Sequence, residues 1–492
     1  MYWTLNKLRF AGMDCWWLAV LMIVFAGHAN QAAAQTAMLY TLVTNGPATN
    51  RLNIVIFSEG YTTEDLTNRF LSDATNVFEN FFPFEPYAEY QNYINVYAVA
   101  VPSSISGSTH LDNTTFVRNA TYFNSTFDVT WDRIVTIPPY NLDTTAADGM
   151  GKVTALLKSL LPNVLTNSVL PVLLVNAPSY DGGSGGPISI NTTKPSTLES
   201  ISMHETGHTL AQLGDEYNYG YTDVLLNTSL EANTTATTNL QTLKWKAWVQ
   251  PGTPIPTEEA DDRYAGVVGV FRGGDYTTND FHPALYCRML APFDDNNNPT
   301  SFCPVCREAM LLAIYKRARP IDSFSPATNK AVSITNSGAM TFSVVPLQPM
   351  THDLNVQWYA NGTAIADATN AFYSLAPLSF TNGTYTLKAL VTDPTPFILA
   401  ADDPSNLVSA SVSWTITNAI KVLTIDSVQW LPNNRFTFRL SGRAANGFVV
   451  QSSTNLVNWT SLSTNTLTAG QYYYTNSGLA GTSGKFYRAL LK

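Results

Sequence analysis

The sequence predicts an α/β domain up to about residue 318, then an immunoglobulin-like β-sandwich and a small all-β C-terminal module. Two observations predict it. Up to about residue 318, buried-strand runs alternate with runs at helical spacing. Beyond about 321 the apolar runs become short, alternate with polar residues, and are separated by Asn-Gly turns. A chain of 492 residues has room for roughly two to four domains. The expected division is 1–34, 35–320, 321–420 and 421–492.

In the α/β part, Asn53 to Phe57 reads as a buried strand. Thr62 and Asp65 form a capping-box pattern, with Leu66, Phe70, Val77 and Phe81 following at helical spacing. Ile94–Val101 and Ile134–Ile137 read as strands, Val153–Leu161 as a helix and Leu170–Val175 as a strand. A glycine-rich loop, Tyr180–Pro187, comes next. It lacks the Gly-Lys-Ser/Thr ending of a phosphate loop and reads as a cleft rim. Leu198 to Leu213 then has helical periodicity, with Met203, Gly207 and Leu210 on one stripe.

That helix carries the chemistry. His204-Glu205-Thr206-Gly207-His208 places two imidazoles four apart, about one turn from each other on one face. Such a pair can hold one metal ion, and Glu205 stands beside it as a general base for water. Asp215 follows His204 by eleven positions, close to three turns, and is the favoured third ligand; Glu216 is the second choice. Gly214 can end the helix and re-aim both carboxylates. Tyr217 is a candidate for stabilising an oxyanion.

Composition narrows the class. Charged residues are 13% and the net charge is -9, with no basic cluster, so nucleic acid is not an expected partner. The first 34 residues read as an export signal. Lys7 and Arg9 precede an apolar run, Trp16–Ala26, that is too short to span a bilayer, and Ala32–Ala34 offers a cleavage site. An uncleaved anchor is the alternative. The expected location is secreted or cell-surface, with no stable membrane insertion once the signal is removed. Beyond it, Cys287, Cys303 and Cys306 read as one disulfide, Cys287 with Cys303 or Cys306, plus one free thiol. A structural zinc site built on Cys303-Pro304-Val305-Cys306 would need a second pair, which the sequence lacks.

In the sandwich, Thr341–Val345, Asn355–Tyr359, Thr384–Val391 and Ser409–Ile416 read as strands, and Trp358 as a core residue. Asn361-Gly362 and Asn382-Gly383 are hairpin-type turns. In the last module, Arg435–Leu440 and Phe448–Gln451 read as strands. Both β-modules are candidates for binding carbohydrate or cell-surface material, or for acting as spacers.

The segment His204–Tyr217 resembles the HExxH…DEY segment of the IgA-peptidase-type zinc metalloendopeptidase family. Asn45-Gly46-Pro47, Ser58-Glu59-Gly60-Tyr61-Thr62 and Pro83-Phe84 are similar to its opening segments. Val175-Asn176 and Tyr180-Asp181-Gly182-Gly183 are similar to its pre-helix strand and loop. Tyr286-Cys287-Arg288-Met289 and Phe302-Cys303-Pro304-Val305-Cys306 resemble its closing segment. The last module resembles C-terminal domains of secreted environmental bacterial proteins. The resemblance implies a zincin-like (metzincin-like) catalytic domain at 35–320, endopeptidase activity and Zn2+ as cofactor, with Met289 as the methionine beneath the metal. Glu59 stands where the family often has Asp, and His282 is read as a positional variant of a basic residue rather than a ligand.

The expected function is therefore a secreted zinc endopeptidase acting on a protein or peptide. Metal would be held by His204, His208 and Asp215, with Glu205 and Tyr217 catalytic. Two alternatives stand beside it: a binding or adhesion protein with a structural metal domain, and an amide hydrolase acting on a cell-wall polymer.

Overall fold

The computed structural model describes residues 37–492 except 113–114, 129–133, 141–147, 165, 181, 223–229, 335–338, 377–379, 381–382, 400–401, 419–422, 443–445 and 477–483. The expected export signal lies outside the described residues, as do Asp181 and Asn382. Among the described residues, no helix is long and apolar enough to cross a membrane. The chain is β-rich, with few helices and several separate sheets. It divides into two compact units. The first runs up to Arg319 and includes Pro349–His352 and Thr395–Leu407; the second holds Pro320–Gln348, Asp353–Pro394 and Val408–Lys492.

The first unit is built on a six-stranded sheet. Its strands are β1 (Met38–Val43), β2 (Leu52–Glu59), β3 (Ile94–Ala100), β4 (Val169–Val175), β5 (Gly183–Ser184) and β6 (Ser189–Thr192), in the order β1-β3-β2-β4-β6-β5. The four central strands are parallel, with Val55 opposite both Tyr97 and Pro171, and Ile190 opposite Leu173. The edge strands β1 and β5 run antiparallel to their neighbours. Every residue of β2 and β3 is buried, the pattern of a parallel strand covered on both faces. Val55, Phe57, Val99, Leu173 and Ile190 share one core with Val153 of the helix Gly149–Leu160. Of the elements expected here, Asn53–Phe57 lengthens to Leu52–Glu59 and Leu170–Val175 gains Val169, while the helix starts four residues early at Gly149 and ends at Leu160. The strand from Ile94 stops at Ala100, and Ile134–Ile137 keeps only Val135–Thr136, paired with Thr126–Phe127 outside this sheet.

The C-terminal end of β2 shows why Ser58 to Thr62 is so specific a string. Ser58 Oγ donates to the Val101 carbonyl and accepts from the Val101 amide, fastening β2 to the chain beyond β3. Gly60 has φ +67°, and a Cβ there would lie 1.8 Å from the Gly107 carbonyl oxygen, so only glycine fits. Tyr61 donates to Asp73 at 2.8 Å. Thr62 and Asp65 cap each other's backbone as expected and start the helical segment that ends in Leu71–Glu79. Glu59 is fully buried, and burial raises its pKa. It accepts from the amides of Phe123 and Ser125 at 2.9 and 2.8 Å and from the Thr121 hydroxyl, tying a long loop to the sheet.

The second unit contains two separate β cores. In the first, Gly383–Thr392 and Ser409–Asn418 form the centre of a five-stranded sheet with Asn355–Ala360, which faces a three-stranded sheet containing Met340–Pro346. Trp358 is fully buried and stacks on Trp414 at 5.6 Å between ring centroids. Asn361 and Gly362 both have positive φ, and Tyr359 pairs with Ala364, giving the tight hairpin that Asn-Gly favours. In the second, Arg435–Gly442 and Gly447–Ser453 sit in two three-stranded sheets around Phe438, Leu440, Phe448 and Val450.

Replacing Glu59 with Ala strands two buried amides and a hydroxyl. The expected cost is about 2–4 kcal/mol, measured by equilibrium denaturant unfolding. A change below about 0.5 kcal/mol would show that the loop does not depend on this carboxylate.

Candidate metal centre

The periodic stretch expected as one helix is two. Helix α1 (Pro195–Ser200) and helix α2 (Ser202–Ala211) meet at Ile201. Ser202 Oγ donates to the Leu198 carbonyl at 2.6 Å, competing with the backbone at the junction. Helix α2 lies against β6 and carries His204, Glu205 and His208. It ends earlier than the sequence suggests. Gln212 takes the left-handed conformation at φ 54°, two residues before Gly214, and that break re-aims the chain. Asp215 therefore reaches the histidines from a returning segment and not from a continued helix.

Three atoms converge there. The His204 and His208 Nε2 atoms are 3.0 Å apart, and Asp215 Oδ1 lies 2.9 and 3.3 Å from them. The outer ring nitrogens face carbonyls: His204 Nδ1 is 3.1 Å from the Arg288 oxygen, and His208 Nδ1 is 2.5 Å from the Leu213 oxygen. A carbonyl can only accept, so Nδ1 carries the proton in each ring and the two Nε2 lone pairs face inward. Asp215 Oδ1 is buried and has no hydrogen bond of proper geometry. Lone pairs from two imidazoles and a carboxylate within 3.3 Å of one another fit a divalent cation such as zinc. Burial disfavours charge at the histidines, yet the Asp215 carboxylate outweighs it and pushes His208 up to about 9. His204 moves the same way. Burial alone would raise Asp215, but both imidazoles hold it well below the usual carboxylate range.

Glu205 is buried one residue along the helix, and burial raises its pKa. Glu216, the second choice for the third ligand, points elsewhere. Its carboxylate belongs to a separate group with Cys287, Cys303 and Cys306. Tyr217 lines the cleft, with its ring 6.2 Å from that of His204. Burial and then the Asp215 charge push its pKa well above the usual tyrosine range, so it remains a neutral donor. Met289 is buried with its sulfur toward Gly207, where a Cβ would meet it at 2.8 Å. His282 is buried beside Phe271; its Nδ1 lies 3.9 Å from Glu216 Oε2, at the border of the cysteine group but not among its ligand atoms.

The expected disulfide is absent: Cys287, Cys303 and Cys306 are all free thiols. Cys287 Sγ and Cys306 Sγ lie 3.7 Å apart, against about 2.05 Å for a bonded pair.

One supporting feature was not read from the sequence, and another, the expected cleft rim, is closer to the helix than composition told. Tyr276 donates to Asp215 Oδ2 at 2.6 Å, leaving Oδ1 for the centre. The glycine-rich loop turns out to be pressed against the metal helix. A Cβ on Gly185 would lie 2.4 Å from His208 Cβ, and one on Gly183 would lie 2.9 Å from Glu205 Oε1. The run of glycines signalled such a close approach; nothing in the sequence signalled Tyr276, which lies sixty-one residues from its partner. All of these groups border one cleft of about 920 Å³. Glu231 and Asp275 also line it; burial and then the Glu231 charge push Asp275 up to about 8.

Residues 40–265 match the family described as IgA Peptidase M64. The match covers just under half of the chain and supports the resemblance carried by His204–Tyr217. The similarity supports a metal-dependent peptidase that acts on proteins or peptides. No curated protein matches the chain. Two solved structures are similar to about a third of it. A tetra-tandem repeat in the extending region of a large adhesion protein is 14% identical, over 34% of this chain and 44% of that one, with TM-score 0.16. Fibronectin(III)-like modules of Clostridium thermocellum CbhA are 11% identical, over 34% of this chain and 85% of theirs, with TM-score 0.13. The chain spans less than half of the adhesion-protein structure. Scores this low carry no argument about the peptidase.

Two variants probe the supports. Gly185→Ala sets a Cβ against a helix-fixed His208 Cβ, so either the loop or the imidazole must move; a 10- to 100-fold loss of peptidase activity is expected, on the order of what small misplacements cost. Activity equal to the parent would mean that the loop yields freely. Tyr276→Phe removes the bond to Asp215 Oδ2 and is expected to weaken metal affinity by roughly 10- to 100-fold in competition with a chelator.

Proposed function

We propose that this chain is a secreted zinc-dependent endopeptidase with a zincin-like catalytic domain at residues 35–320, followed by an immunoglobulin-like sandwich at 321–420 and a small β-module at 421–492. The observation that carries the reading is the convergence of two inward-facing imidazole lone pairs and one buried carboxylate oxygen, with Glu205 next to them on the helix. His204, His208 and Asp215 would hold the ion. Zinc supplies a Lewis acid there, bringing the pKa of water toward neutrality and polarising the scissile carbonyl.

The chain's own residues do the rest. The Arg288 and Leu213 carbonyls keep His204 and His208 in the binding tautomer. Tyr276 orients Asp215. Glu205 takes the proton from the attacking water and returns it to the leaving amine; a carboxylate with a raised pKa suits both halves of that transfer. Tyr217 donates a hydrogen bond to the oxygen that gains negative charge. Gly183 and Gly185 bring the β5 edge close to Glu205 and His208 and keep this wall of the cleft narrow.

The family description names immunoglobulin A, but nothing in the cleft selects that substrate, and the proposal names protein substrates only. The test is hydrolysis of casein or gelatin by the purified chain. Glu205→Gln is expected to lower kcat by about 10²–10⁴-fold while the protein still binds zinc. Chelation should abolish activity and added zinc restore it. Chelator-insensitive cleavage, or a Glu205→Gln variant as active as the parent, would sink the reading. Release of muropeptides without cleavage of protein would move the substrate to a cell-wall polymer.

A further inference from the structure

We propose that Glu216, Cys287, Cys303 and Cys306 form a second metal site, one that holds a structural zinc ion through three thiolates and a carboxylate. Each of the four offers a ligand atom, and these atoms all lie within 4.8 Å of one another. All four residues are buried: Glu216, Cys287 and Cys306 fully, Cys303 to within 4%.

The spacing favours an ion over a disulfide. Cys287 Sγ and Cys306 Sγ are 3.7 Å apart. A tetrahedral zinc with bonds of about 2.3 Å to sulfur puts neighbouring sulfurs about 3.7–3.8 Å apart. A disulfide between any two of the cysteines leaves the third thiol buried beside the Glu216 carboxylate. Glu216 also supplies an independent sign of a missing partner. Its Oε1 lies 3.0 Å from Cys306 Sγ and accepts from Asn233 at 2.9 Å, whereas Oε2 is buried with no hydrogen bond. The nearest charged-type neighbour of Oε2, His282 Nδ1, stands 3.9 Å away, too far to bond to it, and burial lowers that imidazole's pKa to about 4, which leaves it neutral. A carboxylate in that position calls for a cation.

The scaffold suits thiolates. Helix α3 (Pro304–Tyr315) starts with Cys303 at its N-cap and Cys306 in its first turn, and Cys303 makes no capping bond with its side chain. The positive end of a helix stabilises thiolates there. The Cys303 amide faces Cys287 Sγ at 3.4 Å, giving that sulfur a backbone donor. Asn233 supports the carboxylate from outside: besides Glu216, it binds the amide and carbonyl of Gly214 at 2.8 and 2.9 Å. Soft sulfur donors with one oxygen in a closed, buried, four-ligand set match structural zinc, and no position is left open for substrate.

This ion would tie together three segments that also serve the cleft. Glu216 follows Asp215. Cys287 precedes Arg288, whose carbonyl faces His204, and Met289, whose carbonyl accepts from the Glu216 amide at 3.0 Å. Cys303 and Cys306 begin helix α3. The site is therefore separate from the catalytic centre and braces it.

The test is metal and thiol content of the full chain, purified without reductant or chelator. Inductively coupled plasma mass spectrometry is expected to give two zinc ions per chain. His208→Ala should leave one, and adding Cys306→Ser to that variant should leave none. Alkylation in denaturant with chelator, mapped by mass spectrometry, should find Cys287, Cys303 and Cys306 all reduced. Cobalt(II) substitution of the His208→Ala chain should give a thiolate-to-cobalt charge-transfer band. A disulfide among these cysteines, a single zinc that disappears with His208→Ala, or no charge-transfer band would each overturn the proposal. Because wild-type stoichiometry and thiol mapping need no variant, misfolding of Cys306→Ser does not blunt the test. Loss of peptidase activity is not a readout, so a failed peptidase reading would leave this result standing.

Discussion

Two imidazole nitrogens and a carboxylate oxygen lie within 3.3 Å of one another, each presenting a lone pair to the same point. That arrangement is repulsive unless something positive sits among them, either protons on the rings or a metal ion. The upward pull on both histidine pKa values and the downward pull on Asp215 express the same demand. A fold that holds such a cluster at the wall of a cleft needs rigid supports around it. The Arg288 and Leu213 carbonyls and the Tyr276 hydroxyl each fix one ligand from behind.

Close packing of sheet and helix follows from this constraint. Helix α2 must lie near the sheet edge for the cleft to be narrow, yet its inward face carries bulky imidazoles. Glycine resolves the conflict at three places. Gly183 and Gly185 on the loop side, and Gly207 on the helix, are positions where a Cβ would lie 2.9 Å or closer to a neighbouring atom. Their neighbours there include Glu205 Oε1, His208 Cβ and Met289 Sδ. The loop that resembles a phosphate cradle by composition thus forms a thin wall against the helix that carries His204 and His208.

Much of this was legible in the chain because local rules governed it. The capping box at Thr62, the buried run of β2, the Asn361-Gly362 hairpin and the core Trp358 depend on near neighbours and on periodicity, which a sequence displays. The pair His204 and His208 was legible for the same reason, since helix geometry alone brings them together. What the sequence did not reveal depends on partners far along the chain. Tyr276 reaches Asp215 across sixty-one residues. The helix stops at Gln212, which takes the left-handed conformation although glutamine, unlike the nearby Gly214, gives no sign of it in the sequence. The disulfide expectation failed in the same way. Cysteine counting treats the thiols as a closed set, and here a carboxylate from seventy-one residues before Cys287 completes the group.

Asp215 and Glu216 show how one short segment presents carboxylates to two separate clusters of side chains. Around them the backbone bonds alternately to either side: the Asp215 carbonyl accepts from the Asp275 amide, the Glu216 amide donates to Met289, and the Tyr217 carbonyl accepts from Tyr276. Residues in such a strand-like stretch send successive side chains in opposite directions. Asp215 therefore faces the histidines, Glu216 faces the cysteines, and Tyr217 turns back to the cleft. On a continued helix the two carboxylates would diverge by only about 100°, and both would compete for the same ion. The left-handed turn at Gln212 removes that competition. The acidic pair after the histidines is thus not a redundant choice for one cluster: Asp215 lies with the histidines and Glu216 with the cysteines.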